Sequence, residues 1–226
     1  MAQQKQQPKS TATQRAPARR RIPAPRLTRG QKSAARRKAI LDAALDEFSK
    51  RGFAAARLDD VAQRAGVAKG TIYLHFADKE ELFQELVRTM LGPLVANLQE
   101  LSTTDLPIRT VLERFVDVFV NGLYKTRRRE VASLIISEGA RFPKLAEFYY
   151  RQVIGPGMAA MRALLERASK RGEIPHQALA QFPQLVAAPG VLAIIWVALF
   201  EQFAHLDAAA MMQSHIEILL GQRSVS

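Results

Sequence analysis

Residues 58–76, LDDVAQRAGVAKGTIYLHF, hold the pattern that decides the fold. From Leu58 to Ala65 the apolar residues recur at the i, i+3, i+4 and i+7 spacing of one helical face. Gly66 follows directly, and glycine readily adopts the left-handed backbone conformation that helix ends often need. A second helix is expected to begin near Ala68. Two short helices joined by a glycine-containing turn predict a helix-turn-helix, whose second helix fits a DNA major groove of about 12 Å.

The second helix of this pair is rich in hydrogen-bonding side chains. Lys69, Thr71, Tyr73 and His75 surround Ile72, which is the expected core anchor. An ordinary helical hairpin inside a bundle follows the same packing rules, but it would leave these polar side chains without a role. We therefore favour DNA binding. Each residue also has a simpler interpretation, with Tyr73 as a core residue and His75 as an ordinary surface histidine.

The positive charge of the chain is concentrated at its start. The formal net charge is +12, and residues 1–38 carry 12 Lys and Arg and no acidic residue. The other 21 Lys and Arg are balanced by 21 Asp and Glu. Residues 1–30 are rich in Gln, Pro, Ala and Arg, and we expect a disordered basic arm that follows a phosphate backbone or enters a minor groove. A solubilising tail is the alternative.

Several classes of site are missing from the sequence. There is no Cys, and the 4 His are scattered, so disulfides are excluded and no metal site is predicted. No P-loop, nucleophile elbow or H-E-x-x-H motif is present, and we predict neither catalysis nor a cofactor. Met1 is not followed by a secretory signal, and the apolar run 185–200 is shorter than the ~20 residues that span a bilayer. A cytoplasmic protein without a membrane partner is expected.

Helical patterns flank the helix-turn-helix on both sides. Residues 31–51 predict a first helix that ends at Gly52, and Arg36 on this helix could meet DNA phosphates. Asp78, followed by Glu81 three residues later, predicts the capped start of the next helix. After that helix the chain shows only helical patterns. The sequence therefore predicts an all-α protein.

Residues 51–82, RGFAAARLDDVAQRAGVAKGTIYLHFADKEEL, resemble the DNA-binding domain of TetR-family transcriptional regulators. The glycines, the GT-Y-HF pattern and the following K-E-L stand in the family's order and spacing. The resemblance implies a homodimer that binds a palindromic operator in double-stranded DNA, usually as a repressor. It also implies major-groove contacts by Lys69, Gly70, Thr71 and Tyr73, and phosphate contacts by His75 and Lys79.

Two positions depart from the family pattern. Arg57 stands where Thr or Ser is common, and Ala68 stands where Ser is frequent. Each departure removes a hydroxyl that can cap a helix or touch a phosphate. Arg57 could supply a phosphate contact of its own, whereas Ala68 leaves more of the contact to Lys69 and to backbone N–H groups. For Lys79 the simpler interpretation is an ion pair within its own helix.

The second half of the chain resembles, more loosely, the helical ligand-binding and dimerisation domain of the same family, with a modest similarity in SEGARFPKLAEFYY at residues 137–150. We therefore place a three-helix DNA-binding domain at residues 31–78 and a connecting, effector-binding and dimerisation bundle at residues 79–226. The candidate pocket residues are aromatic or Met: Phe115, Phe119, Tyr149, Met158, Met161 and Trp196. The candidate dimer-interface residues are Ile194, Val197, Phe200, Ile216, Leu219 and Leu220.

The leading hypothesis is a ligand-responsive repressor. An effector in the bundle would shift the helix at residues 78–101 and change the distance between two recognition helices. Two alternatives stay open. One is a non-specific nucleic-acid-binding protein that acts through residues 1–38, and the other is a helical carrier or protein-contact regulator. The sequence does not identify the effector, the operator or the sign of regulation.

Overall fold

The computed structural model describes residues 28–221, which form helices and no strand. The all-α prediction is confirmed. The DNA-binding region and the helix that leaves it comprise α1 (Arg29–Ala55), α2 (Leu58–Ala65), α3 (Lys69–Tyr73) and α4 (Lys79–Ser102).

Helix α1 begins two residues before the predicted start at residue 31. The hydroxyl oxygen of Thr28 accepts a hydrogen bond from the Gln31 N–H, and the Gln31 side chain accepts one from the Thr28 N–H. This reciprocal capping box fixes the start of the helix, so the end of the expected arm is helical. Gly52 has a φ of 73°, and the regular helix ends there as predicted. Residues 1–27, which make up most of the expected arm, lie outside the described residues.

Helices α2 and α3 form the predicted helix-turn-helix. Gly66 adopts the left-handed conformation, with φ 67° and ψ 32°, and its N–H donates to the carbonyl of Ala62. Ile72 of α3 is fully buried and anchors the short helix to the core. Arg57 and Ala68 are the residues that precede α2 and α3, and neither makes a side-chain capping hydrogen bond.

Three aromatic rings form the centre of the DNA-binding region. The ring centroids of Phe48, Phe53 and Phe83 lie 5.5 to 5.9 Å apart, as stacked and edge-to-face pairs. Helix α4 contributes its first half to this core, and its start is capped by Asp78, whose carboxylate accepts from the Glu81 N–H. The fully buried residues of α4 in this core are Leu82, Phe83, Leu86 and Val87.

The remaining described residues form a second helical bundle packed on α4. Two segments within it, at residues 118–124 and 150–154, are π-helical and continue α5 and α7. Its α-helices are α5 (Ile108–Asp117), α6 (Arg128–Glu138), α7 (Pro143–Tyr149), α8 (Gly155–Lys170), α9 (Ala178–Gln181), α10 (Gln184–Leu199) and α11 (Ala208–Leu220).

The core of the second bundle lies between α5, α8 and α11. Val111, Leu112 and Leu164 are fully buried there, and Ile216 packs against them. The apolar run at residues 185–200 forms most of α10, which continues through Pro189. Within residues 28–221 no helix is both long enough and apolar enough to cross a membrane.

Candidate DNA interface and effector cavity

Helix α3 places its polar side chains at the surface of the DNA-binding region. Lys69 and Tyr73 are exposed, and Thr71 is half-buried. Gly70 is also exposed, and no atom lies within 4 Å of the position that a Cβ would take. A backbone that is open on this side can approach a ligand closely. The four residues assigned to the major groove therefore lie on one short helix at the surface.

Asp59 of α2 contacts two of these side chains. Its carboxylate lies 2.7 Å from the Lys69 ammonium, and it accepts a weak hydrogen bond of 3.4 Å from the Tyr73 hydroxyl. The hydrogen bond from Lys69 lowers the pKa of Asp59, and the same bond raises the pKa of Lys69. Asp59 thus orients both side chains.

Three of the four predicted phosphate-contact residues are exposed. Arg36 on α1, Arg57 before α2 and His75 after α3 are exposed. Arg36 precedes the buried stripe of its helix, as the sequence indicated. These three side chains are accessible to a phosphate backbone.

Lys79 is half-buried, and its ammonium is held by backbone carbonyls of the DNA-binding region. Its ammonium donates to the carbonyls of Phe53 and Ala54 at 2.8 and 2.7 Å and, at 3.4 Å, to that of Ala56. It also lies 4.9 Å from the centroid of the Phe53 ring. An ammonium has three donors, and carbonyls that close the end of α1 occupy them. The geometry therefore gives Lys79 a capping role at the end of α1.

A cavity of about 260 Å³ lies between α4, α5, α6, α8, α10 and the π-helical segments. Four of the predicted pocket residues line it: Phe115, Phe119, Tyr149 and Met158. The other lining residues among those described are Leu91, Leu94, Val95, Leu98, Leu101, Val118, Leu123, Ala132, Ile136, Val153, Ile154, Gly157, Ala187, Gly190, Val191 and Ile194. These walls are apolar, and Tyr149 supplies the side-chain hydroxyl among them.

Two predicted pocket residues lie elsewhere. Met161 is fully buried in the core between α5, α8 and α11, one helical turn beyond Met158. Trp196 donates from its indole N–H to the carbonyl of Ala204 at 2.8 Å, and its ring meets Phe200 edge-on. Neither residue is part of the cavity wall, because each finds its partners within a neighbouring helix or turn.

The sequence interpretation missed the contribution of α4 to the cavity. Leu91, Leu94, Leu98 and Leu101 of α4 recur at three- and four-residue intervals and line the wall. This repeat was visible in the sequence as an amphipathic helix, but it does not distinguish a packed core from a cavity wall. Helix α4 therefore packs into the DNA-binding core with its first half and borders the cavity with its second.

Helix α6 also contacts both regions. Ala132 and Ile136 line the cavity. On the other side, the Glu130 carboxylate accepts a hydrogen bond from the Ser49 hydroxyl of α1 at 3.1 Å. At the end of α6, a Glu138 carboxylate oxygen lies 2.8 Å from the position that a Cβ on Gly52 would take.

The predicted dimer-interface residues differ in exposure. Ile194 and Ile216 are buried within their own chain, and Val197, Leu219 and Leu220 are half-buried. Phe200 is exposed. Helices α10 and α11 and the turn after α10 expose six apolar side chains, which we call the apolar face: Leu185, Leu192, Leu199, Phe200, Phe203 and Ile218.

Two family models match the chain. Residues 40–86 match the bacterial regulatory proteins of the TetR family, and residues 107–212 match the tetracyclin repressor-like C-terminal domain. The chain is similar to the transcriptional regulator SrpR of Pseudomonas putida, with 28% identity over 139 residues, 62% of this chain and 63% of SrpR. It thus spans less than two thirds of SrpR. It is also similar to TtgW of Pseudomonas putida, an uncharacterised HTH-type transcriptional regulator, with 31% identity over 46% of this chain and 74% of TtgW.

Solved structures share the fold. The SmeT–triclosan complex matches with a TM-score of 0.67 and 21% identity, over 81% of this chain and 90% of SmeT. FadR of Bacillus subtilis in complex with stearoyl-CoA matches with a TM-score of 0.67 and 20% identity, over 81% of this chain and 97% of FadR. The helix-turn-helix, the two family models and the curated relatives agree, so the chain belongs to the TetR family of DNA-binding transcriptional regulators and is not an enzyme.

Proposed function

We propose that this regulator binds a palindromic operator as a homodimer, represses transcription there, and leaves the operator when a small molecule fills the cavity. The observation that carries the proposal is the placement of α4 and α6. Both helices border the cavity, and both pack against the DNA-binding region. A ligand that changes the preferred position of either helix therefore changes the position of α3.

The short length of α3 supports DNA binding by a dimer. The helix has only five residues, and it presents Lys69, Thr71 and Tyr73 beside Gly70. So few side chains distinguish few base pairs. Two copies that meet successive major grooves about 34–36 Å apart would double the contacts and require a palindrome.

The apolar face supports a second copy of this chain as its partner. Leu185, Leu192 and Leu199 are exposed on α10 at seven-residue intervals. A heptad of leucines is typical of a helix that packs along another helix. Phe200, which the sequence assigned to the interface, extends this row, and Val197 lies half-buried behind it. We therefore centre the interface on the exposed row and assign Ile194 and Ile216 to the interior of each subunit.

Ligand response follows from the difference in affinity between two arrangements of the bundle. An effector shifts the equilibrium only as far as it prefers one arrangement over the other. Two proteins of the same fold support a small-molecule site, because SmeT was solved in complex with triclosan and FadR in complex with stearoyl-CoA. In this chain, the cavity would be the corresponding site.

The test is selection of bound duplexes from a random pool at near-physiological salt. A palindrome with half-sites one helical turn apart, or a multiple of it, is the expected result. Tyr73→Ala should abolish the enrichment while the far-ultraviolet circular dichroism is kept. Leu74→Ala, the adjacent exposed residue, is the matched control and should retain the enrichment. Binding without an enriched sequence would contradict the proposal and favour the basic residues 1–38 as a non-specific DNA-binding segment.

A further inference from the structure

We propose that the cavity takes an uncharged, largely aromatic or hydrocarbon ligand of about two rings, which carries a hydrogen-bond acceptor for the Tyr149 hydroxyl. This inference rests on the proposed function, since it names the class of effector for the same site.

The walls disfavour a charged ligand. None of the described lining residues is Lys, Arg, His, Asp or Glu. A charged group that leaves water for such walls loses its hydration and gains no counter-ion, which is strongly unfavourable. A carboxylate, an ammonium or a phosphate would have to stay outside the mouth of the cavity.

The Tyr149 hydroxyl supplies a specific polar contact. Tyr149 lines the cavity, and within residues 28–221 its hydroxyl has no hydrogen-bond partner. Burial raises the pKa of Tyr149 to about 12, so the phenol stays protonated at neutral pH and remains a donor. Tyr149 is half-buried at the cavity wall, so its hydroxyl is available to a ligand acceptor, and a hydrogen bond there gives a modest net gain in affinity. A ketone, an ether or a neutral hydroxyl has the required lone pair.

The volume and the shape of the walls set the bulk of the ligand. A dry cavity of about 150 Å³ holds benzene, so the 260 Å³ here suits a ligand of two rings or a chain of similar bulk. Phe115 and Phe119 contribute aromatic rings to the wall, and aromatic pairs add to the stability of a contact beyond the area that they bury. Gly190 lets the Phe119 ring pack directly against α10, because a Cβ at residue 190 would lie 2.9 Å from that ring. A side chain at residue 190 would therefore push the ring into the cavity and reduce its volume.

The test compares three probes of matched bulk on the purified full-length protein by isothermal titration calorimetry. Benzophenone has two rings and one acceptor, diphenylmethane lacks the acceptor, and 4-benzoylbenzoate adds a negative charge. Benzophenone should bind roughly fivefold more tightly than diphenylmethane, which is the usual net gain from one hydrogen bond. 4-Benzoylbenzoate should bind roughly 100-fold more weakly than benzophenone.

A pair of variants tests the hydroxyl. Tyr149→Phe should reduce the affinity for benzophenone to that for diphenylmethane and leave the diphenylmethane affinity unchanged. Tyr150→Phe is the matched control, because Tyr150 is adjacent, exposed and outside the cavity wall, and it should change neither value. Equal binding of the charged probe would overturn the ligand class, and an unchanged benzophenone affinity in Tyr149→Phe would overturn the hydrogen bond.

The outcome is separable from the proposed function, because probe binding is measured without DNA. No binding of any of the three probes would overturn the inference. Binding in the expected order, without any loss of operator affinity when benzophenone is added, would support the ligand class and contradict the release step. Binding in that order together with loss of operator affinity would support both.

Discussion

The guanidinium of Arg127, at the start of α6, lies 2.5 Å from the carboxylate of Asp46 on α1. Arg127 also pairs with Glu130, whose carboxylate accepts from the Ser49 hydroxyl, so four polar residues join the second bundle to the DNA-binding region. The hydrogen bonds from Arg127 to Glu130 and to Asp46 raise the pKa of Arg127, which therefore remains charged. We call this group the α1–α6 bridge.

Breaking the bridge should weaken the response to the effector more than it weakens the fold. Exposed ion pairs contribute about 0–1 kcal/mol to stability, so Arg127→Ala should unfold at nearly the same denaturant concentration. The ratio of operator affinities without and with effector should fall by a few-fold, in line with coupling changes of about 0.5–2 kcal/mol. Fluorescence anisotropy with labelled operator measures this ratio.

The control for the bridge is Arg151→Ala. Arg151 forms an ion pair with Glu147 at 2.8 Å, and both side chains are exposed and lie outside the α1–α6 bridge. This variant should leave the affinity ratio unchanged. If Arg127→Ala behaves in the same way, the bridge does not carry the response, and α4 remains the connecting element.

Gly52→Ala should destabilise the protein through two separate effects. Gly52 has φ 73° and ψ 167°, a backbone region that is essentially restricted to glycine, and alanine there costs on the order of 1–3 kcal/mol. In addition, the new Cβ would lie 2.8 Å from a Glu138 carboxylate oxygen, which would have to move. Gly66→Ala is the reference for a positive φ without a clash, since Gly66 lies in the milder left-handed region at φ 67° and ψ 32° and has no atom within 4 Å of a Cβ. Urea unfolding should give a larger loss for Gly52→Ala, and equal losses would show that neither the backbone conformation of Gly52 nor Glu138 adds a cost.

The sequence predicted the local features of the DNA-binding region well. Gly52, Gly66 and the Asp78 cap act through the backbone within a few residues, so their spacing in the sequence was sufficient. The cavity was harder to predict, because Met158 and Met161 lie one turn apart on α8 and only the packing of α5 and α11 separates a wall residue from a core residue.

The exposed face of α10 was also difficult to predict from the sequence. It is apolar nearly all round, so its sequence does not indicate which face meets its own chain and which remains open. Ile194 was assigned to the interface and is buried, whereas Leu192 is exposed. Lys79 illustrates a related difficulty, since the carbonyls that hold it are 23 to 26 residues away in sequence.

Asp59→Asn should strengthen non-specific DNA binding. The variant removes a negative charge beside α3 and frees Lys69 from its ion pair, so one further phosphate can be neutralised. The slope of log affinity against log salt should steepen by about one. Asp42→Asn, which breaks the exposed pair with Lys38 on α1, is the control. An equal effect of Asp42→Asn would indicate a general effect of charge rather than a role for Asp59.

Leu192→Asp should convert the protein to a monomer. It places a charge in the middle of the exposed row on α10, and since Leu192 is 48% exposed, little buried contact within its own chain is lost. Sedimentation velocity should show a subunit of half the wild-type mass, and operator affinity should fall with it. Leu74→Asp, on an 84% exposed residue of the DNA-binding region, should leave the mass unchanged. A Leu192→Asp protein that keeps the wild-type mass would place the interface elsewhere.

Lys79→Met distinguishes a capping lysine from a phosphate contact. If the ammonium closes the end of α1, its loss leaves the carbonyls of Phe53 and Ala54 without a donor and should cost about 1–3 kcal/mol of unfolding free energy. The salt slope of DNA binding should stay the same, because no phosphate contact is lost. Lys50→Met removes an exposed lysine from α1 and should leave the stability within about 0.5 kcal/mol of wild type. The reverse pattern for Lys79→Met, with unchanged stability and a slope reduced by about one, would restore the phosphate contact that the family resemblance implied.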